Sequence, residues 1–338
     1  MTELLVRHLF ESTLFCLIMA GLALCLRPQS SALRYTLWLV GVAKFAVPAA
    51  VLKAAGAQLA FLVPASAWMS LAASKLSALL TVFFGFLPAN MAMNETTVTH
   101  DVLVSLWLFG SAAMFGRWLT RLRQRSSSVT EPTALEVRAL RRACGRFGIS
   151  RPPRLGLTGS GVEPSLRGIL YPTLTVPRDL AGQLDQDEFE SILLHELAHA
   201  RRWDNLASMF VHTTVCVFWF HPLLWFAQRR INQERERACD QAVVRAGVPR
   251  ESYIAGMMKA CRLQVFGNVA GVSGITSSDL GMRLQLVLSY RRRKRVFTVL
   301  PRLLLAMFAA SMTLLPMAGG YCEQCVSQNM QARTPASH

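Results

Sequence analysis

His195, Glu196 and His199 stand in the pentapeptide His195-Glu196-Leu197-Ala198-His199. On a helix, side chains four residues apart leave the same face, so the two imidazoles can share one metal ion with Glu196 beside them. Two imidazoles and one further protein ligand leave a tetrahedral position open, where Zn2+ lowers the pKa of a bound water to about 7. Glu196 is then the expected general base, taking that water's proton and later passing it to a leaving amine. The chemistry implied is hydrolysis of peptide bonds with zinc as the cofactor. A purely structural zinc has no need of such a base.

The third ligand must come from another element, and Glu236-Arg237-Ala238-Cys239-Asp240 offers a carboxylate paired with an acid one turn later. Glu236 is the expected ligand, and Asp240 is expected to orient a ligand histidine through its ring N–H. Glu234 competes, since it is only two residues away, but it points about 200° round a helix from Glu236. Only Glu236 has an acid at i+4 on its own face. Cys239, beside these acids on a packed helix, is expected to serve core packing. His212 and His221 are expected to pack or hydrogen-bond rather than to hold a second metal.

These residues need two helices. Asp185 followed by Glu188 is a capping-box-like start, and Phe189, Ile192, Leu193 and Leu197 follow at helical spacing. A second helix is expected from about Trp225 to Ala246, stopped by Gly247 and Pro249. Upstream, Thr130, Glu131 and Pro132 read as the start of a helix with Leu135, Leu140, Ala143 and Phe147 on its apolar side and Gly148 at its end. PRLGLTGS, PSLRGIL and TLTVPR then read as short strands of a small antiparallel sheet. The stretch from Phe266 to Gly281 is rich in Gly and Ser and reads as a loop.

A hydrophobic content of 52% in 338 residues points to a membrane protein. Leu9 to Leu26, Leu33 to Leu52, Val102 to Thr120 and Leu303 to Gly319 approach the roughly 20 residues that a bilayer crossing needs. The first stretch resembles a signal peptide, but Glu11 lies inside it and a second apolar stretch follows almost at once, so it is read as a retained anchor. The net charge of +16 would suggest a nucleic-acid binder in a soluble protein, but 28 of the 36 Lys and Arg fall between Arg117 and Arg295. The positive-inside rule accounts for that block without direct nucleic-acid binding, and for the run Arg291 to Arg295 as a topology anchor touching anionic lipid.

The expected plan is mainly α: a four-span helical membrane protein with an inserted protease domain. Residues 1–122 form a three-span region with an outer loop at about 53–101. Residues 123–296 form the cytoplasmic metallopeptidase domain, 297–320 the fourth span and 321–338 an extracytoplasmic tail, so both termini lie outside. Within the domain, Leu206 to Trp225 is apolar, but a straight crossing would part His199 from Glu236 by about 30 Å. That segment must turn back near His221 and Pro222 or lie along the interface. Cys322 and Cys325 on the oxidising side are expected as a local disulfide or unpaired thiols.

GILYPTLTVPRDL, LLHELAHARRWDNL, FWFHPLLWFAQRR and ERERACDQAVV, in this order, resemble the BlaR/MecR-type membrane zinc metallopeptidases, transducers of antibiotic sensors. The resemblance implies a gluzincin-like fold, zinc on His195, His199 and Glu236, and Glu196 as base, in the bacterial inner membrane. It implies as substrate a cytoplasmic DNA-binding repressor, with self-cleavage expected in the loop from Phe266 to Gly281. The family's beta-lactam sensor uses Ser-x-x-Lys, whereas none of the five lysines here has Ser three residues before it and about 19 residues follow the last span. Direct covalent sensing is therefore not expected. An extended substrate is expected to add a strand to the sheet along Leu166, Arg167, Gly168, Ile169 and Leu170. A homodimer is a further partner to consider. The competing readings are a general membrane protease of the HtpX or prenyl-protease kind and a non-proteolytic receptor with a structural metal site.

Overall fold

A computed structural model describes residues 2–26, 31–47, 97–124, 129–159, 164–169, 171–267 and 277–290. The greater part of the expected outer loop, the span Leu303 to Gly319, the run Arg291 to Arg295, the pair Cys322 and Cys325, Leu170 and residues 268–276 lie outside the described residues. The elements are α1 (Thr2–Cys25), α2 (Ser31–Ala46), α3 (Thr97–Gln124), α4 (Ala134–Phe147), β1 (Arg154–Thr158), β2 (Ser165–Arg167) and β3 (Thr173–Pro177). They continue with α5 (Arg178–Gln183), α6 (Gln186–Arg201), α7 (Asp204–Val217), α8 (Pro222–Arg245), α9 (Arg250–Gly267) and α10 (Ser277–Ser289). The fold is mainly helical with a small sheet.

The chain divides into two compact units. The first holds α1, α2 from Thr36 and the first turns of α3. Phe15, Met19, Leu37, Trp38, Val42 and Phe45 are buried in it, and His8 Nε2 meets the Phe45 carbonyl at 2.9 Å. Glu11, the charge inside the first apolar stretch, lies 3.9 Å from Lys44, so two half-buried opposite charges are placed together. Among the described residues two helical stretches, His8–Cys25 and Asp101–Arg123, are long and apolar enough to cross a membrane. α2, at 16 residues, is shorter than a usual crossing.

The second unit is organised around α6, which packs against α4, α7, α8, α9 and β2. Its start is fixed locally: the Glu188 N–H donates to Asp185 Oδ1 at 2.8 Å, and the Asp185 N–H donates to Glu188 Oε2 at 2.9 Å. Leu193, Leu194 and Leu197 are wholly buried. They share a core with Leu140 and Ala143 of α4, Leu174 and Val176 of β3, Val243 of α8 and Met257 of α9. Each such leucine contributes about 1.5–3 kcal/mol by burial, and Leu194→Ala would lose roughly 2–5 kcal/mol. Glu190 ties α6 to α4 through Arg142 at 3.1 Å and Arg146 at 2.6 Å.

Three expectations are corrected here. The helix read from Thr130 starts at Ala134, with the Thr133 N–H donating to Glu136 Oε2 at 2.6 Å. Thr130 is instead bridged to Leu157, because a backbone pairing outcompetes its side-chain capping tendency. That helix ends at Gly148 as expected, with φ 66° in the left-handed region. Its buried face is Ala139, Leu140, Ala143 and Cys144, while Leu135 is 73% exposed. The sheet is mixed rather than antiparallel: its order is β1-β3-β2, with β3 antiparallel to β2 and parallel to β1. Alternation within a strand reports its faces but not which neighbour it pairs with.

The apolar stretch Leu206 to Trp225 does turn back. α7 ends at Val217, and α8 starts at Pro222 behind His221, with the proline in the first turn where its missing N–H costs nothing.

Candidate active site

The capping box of α6 fixes the phase of a helix whose opposite side is packed into the core, so the register of His195 and His199 follows from residues seven to fourteen positions earlier. Both rings turn towards α8. His195 Nε2 lies 3.3 Å and His199 Nε2 3.8 Å from Glu236 Oε2, and ligand atoms of the three residues all lie within 4.8 Å of one another. Ligand atoms held about 2 Å from one tetrahedral ion stand about 3.3 Å apart, so the three donors fit such an ion. The other oxygen of Glu236 is already taken: Arg235 donates to Oε1 from Nε at 3.2 Å and Nη2 at 3.0 Å.

Electrostatics favour a cation at the same place. Burial pushes the His195 imidazolium down, but hydrogen bonding to Asp240 and Glu236 outweighs it and raises His195 to about 9. Burial pushes the Glu236 carboxyl up, but bonding to His195 and the charges of His199, Arg235 and Arg283 hold it well below the usual carboxylate range. The site therefore keeps its ligand acid ionised and stabilises positive charge opposite it.

Behind His195, the Nδ1 atom is 2.9 Å from the Tyr253 hydroxyl and 3.3 Å from Asp240 Oδ1. Tyr253 in turn donates to Asp240 Oδ1 at 2.6 Å, so its oxygen can accept from an Nδ1–H. With Nδ1–H held there, a metal that displaced the proton on Nε2 would meet that nitrogen's lone pair on the side facing Glu236. Arg283 of α10 grips Asp240 with Nε at 2.9 Å and Nη2 at 2.8 Å. Burial acts to raise the Asp240 carboxyl, but Arg283 and the bond to His195 hold it at about 2. Asp240 thus stands behind the His195 ring, 3.3 Å from Nδ1, with the Tyr253 hydroxyl in contact with both.

His199 is held differently. Its Nδ1 lies 2.8 Å from Asp204 Oδ2, at the first residue of α7. Cys239 Sγ is 3.4 Å from the same nitrogen. His199, Asp204 and Cys239 also cluster closely enough to suggest metal ligation, but His199 there offers the nitrogen turned away from Glu236. Burial, then the negative charges of Asp204 and Glu236, push the Cys239 thiol well above its ordinary range. A neutral thiol is a poor ligand.

Glu196 is 7% exposed and makes no hydrogen bond or ion pair with any described residue. Glu234 faces elsewhere: it pairs with Arg34 at 2.8 Å and Arg237 at 2.9 Å. His212 Nδ1 accepts from Gln228 Nε2 at 3.0 Å and its ring lies tilted against Trp118 with centroids 4.9 Å apart, while His221 occupies the N-cap position of α8. Neither belongs to a metal-type cluster among the described residues.

Of the segment expected to bind substrate, Leu166 and Arg167 lie in β2, an outer strand of the sheet. Gly168 leaves the strand at φ 85°, where a Cβ would also sit 2.9 Å from the Tyr171 carbonyl oxygen. Leu166, Gly168, Ile169, His199, Trp203 and Asn205 line one cleft, so the strand end and a site histidine share a wall.

The profile of the family described as BlaR1 peptidase M56 matches residues 4–287. The chain belongs to that family. Over 83 residues this M56 chain is 35% identical to the regulatory protein BlaR1 of Bacillus licheniformis, covering 25% of this chain and 14% of that one. Over 163 residues it is 22% identical to the methicillin resistance mecR1 protein of Staphylococcus aureus, covering 47% of this chain and 28% of that one. The matched stretches thus span less than a third of either relative. That family is one of metallopeptidases, in agreement with the resemblance read from the sequence.

Sequence reasoning did not single out Tyr253, Asp204, Arg235 or Arg283 in this M56 site. Asp204 was open to detection, being an acid five residues beyond a ligand-type histidine. Tyr253 and Arg283 arrive from α9 and α10, and no local pattern reports them.

Proposed function

We propose that this M56 chain is a zinc metalloendopeptidase of the bacterial cytoplasmic membrane that cuts a cytoplasmic DNA-binding repressor. The observation that carries the reading is the convergence of His195 Nε2, His199 Nε2 and Glu236 Oε2, with the Glu196 carboxylate, unpaired among the described residues, on the same helix. His195, His199 and Glu236 would hold the zinc. When bound, the metal supplies Lewis acidity towards a carbonyl and lowers the pKa of water.

The protein's own groups do the rest. Glu196, without a competing partner among the described residues, accepts a proton from the attacking water and returns it to the amine nitrogen as the peptide bond breaks. Tyr253 and Asp240 keep the proton of His195 on Nδ1, and Asp204 does so for His199. Leu166 to Leu170 is the edge along which we place an extended peptide, held by main-chain hydrogen bonds. The names of the two relatives, a regulatory protein and a resistance protein, support a signalling role. The apolar helices α1 and α3 support a membrane location, with the protease domain on the cytoplasmic side that the Lys and Arg block favours.

The test uses the full chain in lipid bilayers: wild type, Glu196→Gln and Glu236→Gln, assayed for zinc content and for cleavage of a purified winged-helix repressor encoded beside it. The expected result is about one zinc per chain, cleavage by wild type only, and zinc retained by Glu196→Gln but lost from Glu236→Gln. Equal zinc in all three proteins would remove Glu236 from the site. Zinc without any cutting would favour a non-proteolytic receptor.

A further inference from the structure

Asn205 follows Asp204, the residue that holds His199, and its side chain faces the sheet. Its amide nitrogen donates to the Leu166 carbonyl at 2.9 Å and to the Gly168 carbonyl at 2.8 Å. In a regular strand, carbonyls two residues apart stand nearly 7 Å apart along the chain, too far for one nitrogen to reach both. They converge here because Gly168 turns into the left-handed region at φ 85°. The partner residue is also unusual: Trp203, immediately before Asp204, has φ 57°, the sole non-glycine residue with positive φ among the described residues. That strained residue breaks the helix between α6 and α7, so Asp204 can face His199 while Asn205 faces the strand.

One dipeptide thus grips the two parts that a peptidase must keep in register. Asp204 holds a histidine of the metal-type cluster, and Asn205 holds the end of the outer strand on the wall of the same cleft. We infer that Asn205 is a positioning residue that fixes the end of β2 against His199, and so sets where along an extended peptide the scissile bond falls. The inference rests on the proposed binding of peptide along β2. It adds that the strand end is not a free template: the amide already satisfies the carbonyls of Leu166 and Gly168, which leaves main-chain N–H groups as the principal contacts there for a peptide's carbonyls.

An amide is needed for this. Alanine frees both carbonyls and uncouples the strand end from the α6–α7 junction. Aspartate is isosteric but places acceptor against acceptor, so it repels the strand end rather than merely releasing it.

The experiment compares two probes on the zinc-loaded full chain in lipid nanodiscs. Acetohydroxamate reads the metal site alone, and an apolar tripeptide hydroxamate reads the metal site plus the strand edge. In wild type the tripeptide should bind at least about a hundredfold more tightly. Asn205→Ala should leave acetohydroxamate unchanged and cut the tripeptide's advantage roughly tenfold, the scale of one or two net hydrogen bonds. Asn205→Asp should cut it further. With a cleavable peptide, the variants should also cut at neighbouring bonds, read as extra masses among the products.

An advantage unchanged within about twofold in both variants would overturn the inference, as would a parallel loss of acetohydroxamate binding, which would mean that Asn205 acts only through Asp204. Wild type binding acetohydroxamate with no gain from the tripeptide would overturn it by removing the edge. Failure of wild type to bind either probe would overturn the metal-site reading itself, a separate result.

Discussion

The two histidines of α6 present the same ring nitrogen to Glu236, yet the protein anchors them in opposite ways. His199 is held by one acid five residues away, Asp204, in a direct contact of 2.8 Å. His195 is held by a relay from three other helices: Tyr253 of α9, Asp240 of α8 and, behind them, Arg283 of α10. The first anchor depends on a local break in the chain, the second on the packing of the whole unit. Damage to the second should therefore register first as lost stability, and damage to the first as lost metal.

The largest effect should come from Arg283→Met. Asp240 is wholly buried, and Arg283 donates to both of its oxygens, while His195 Nδ1 stands farther off at 3.3 Å. Removing one partner of a buried pair leaves an uncompensated charge, a loss of about 3–5 kcal/mol. Chemical denaturation of the protein in detergent micelles would measure it. A loss under about 1 kcal/mol, the scale of an exposed pair, would break the contrast.

Metal affinity should rank the two anchors the other way. Asp204→Ala removes the carboxylate that orients His199, and such partners are typically worth 10–100-fold in metal affinity, so a fall of about that size is expected in chelator competition. Tyr253→Phe should have a smaller effect, about tenfold at most. Asp240 Oδ1 already stands 3.3 Å from His195 Nδ1 and can take the ring proton directly. A larger loss from Tyr253→Phe than from Asp204→Ala would mean that the hydroxyl, not the acid, fixes the tautomer.

The same division explains what was legible in the sequence. The start of α6, its histidine spacing and the different faces that Glu234 and Glu236 take on α8 were readable because each depends on residues within about one turn of helix. Glu234 sits on the other side of α8, where Arg34 and Arg237 neutralise it. Asp204 offered a cue in its spacing, five residues beyond His199, but the break at Trp203 kept helical periodicity from aiming it at that ring, since periodicity does not continue through a left-handed residue. Arg283 is one of 36 basic residues, and nothing local distinguishes a buried guanidinium from a topology charge. The parallel pairing of β1 with β3 was likewise beyond local patterns, because it joins residues 19 positions apart, as Arg154 with Thr173.

The smallest effect should come from Cys239, although it touches both parts of the His199 anchor. Its sulfur is 3.4 Å from His199 Nδ1 and 3.7 Å from Asp204 Oδ2, so a thiolate ligand is a fair rival to Glu236. A thiolate there would sit fully buried between two carboxylates, and those charges with the burial keep the proton on sulfur. Cys239→Ala should then leave zinc stoichiometry intact and lower affinity by about threefold or less, well under the loss of an orienting carboxylate. Cobalt-substituted wild type should show no thiolate charge-transfer absorption. Such a band, lost in Cys239→Ala, would move the metal from the Nε2 side of His199 to its Nδ1 side and would make Asp204 a ligand rather than an anchor.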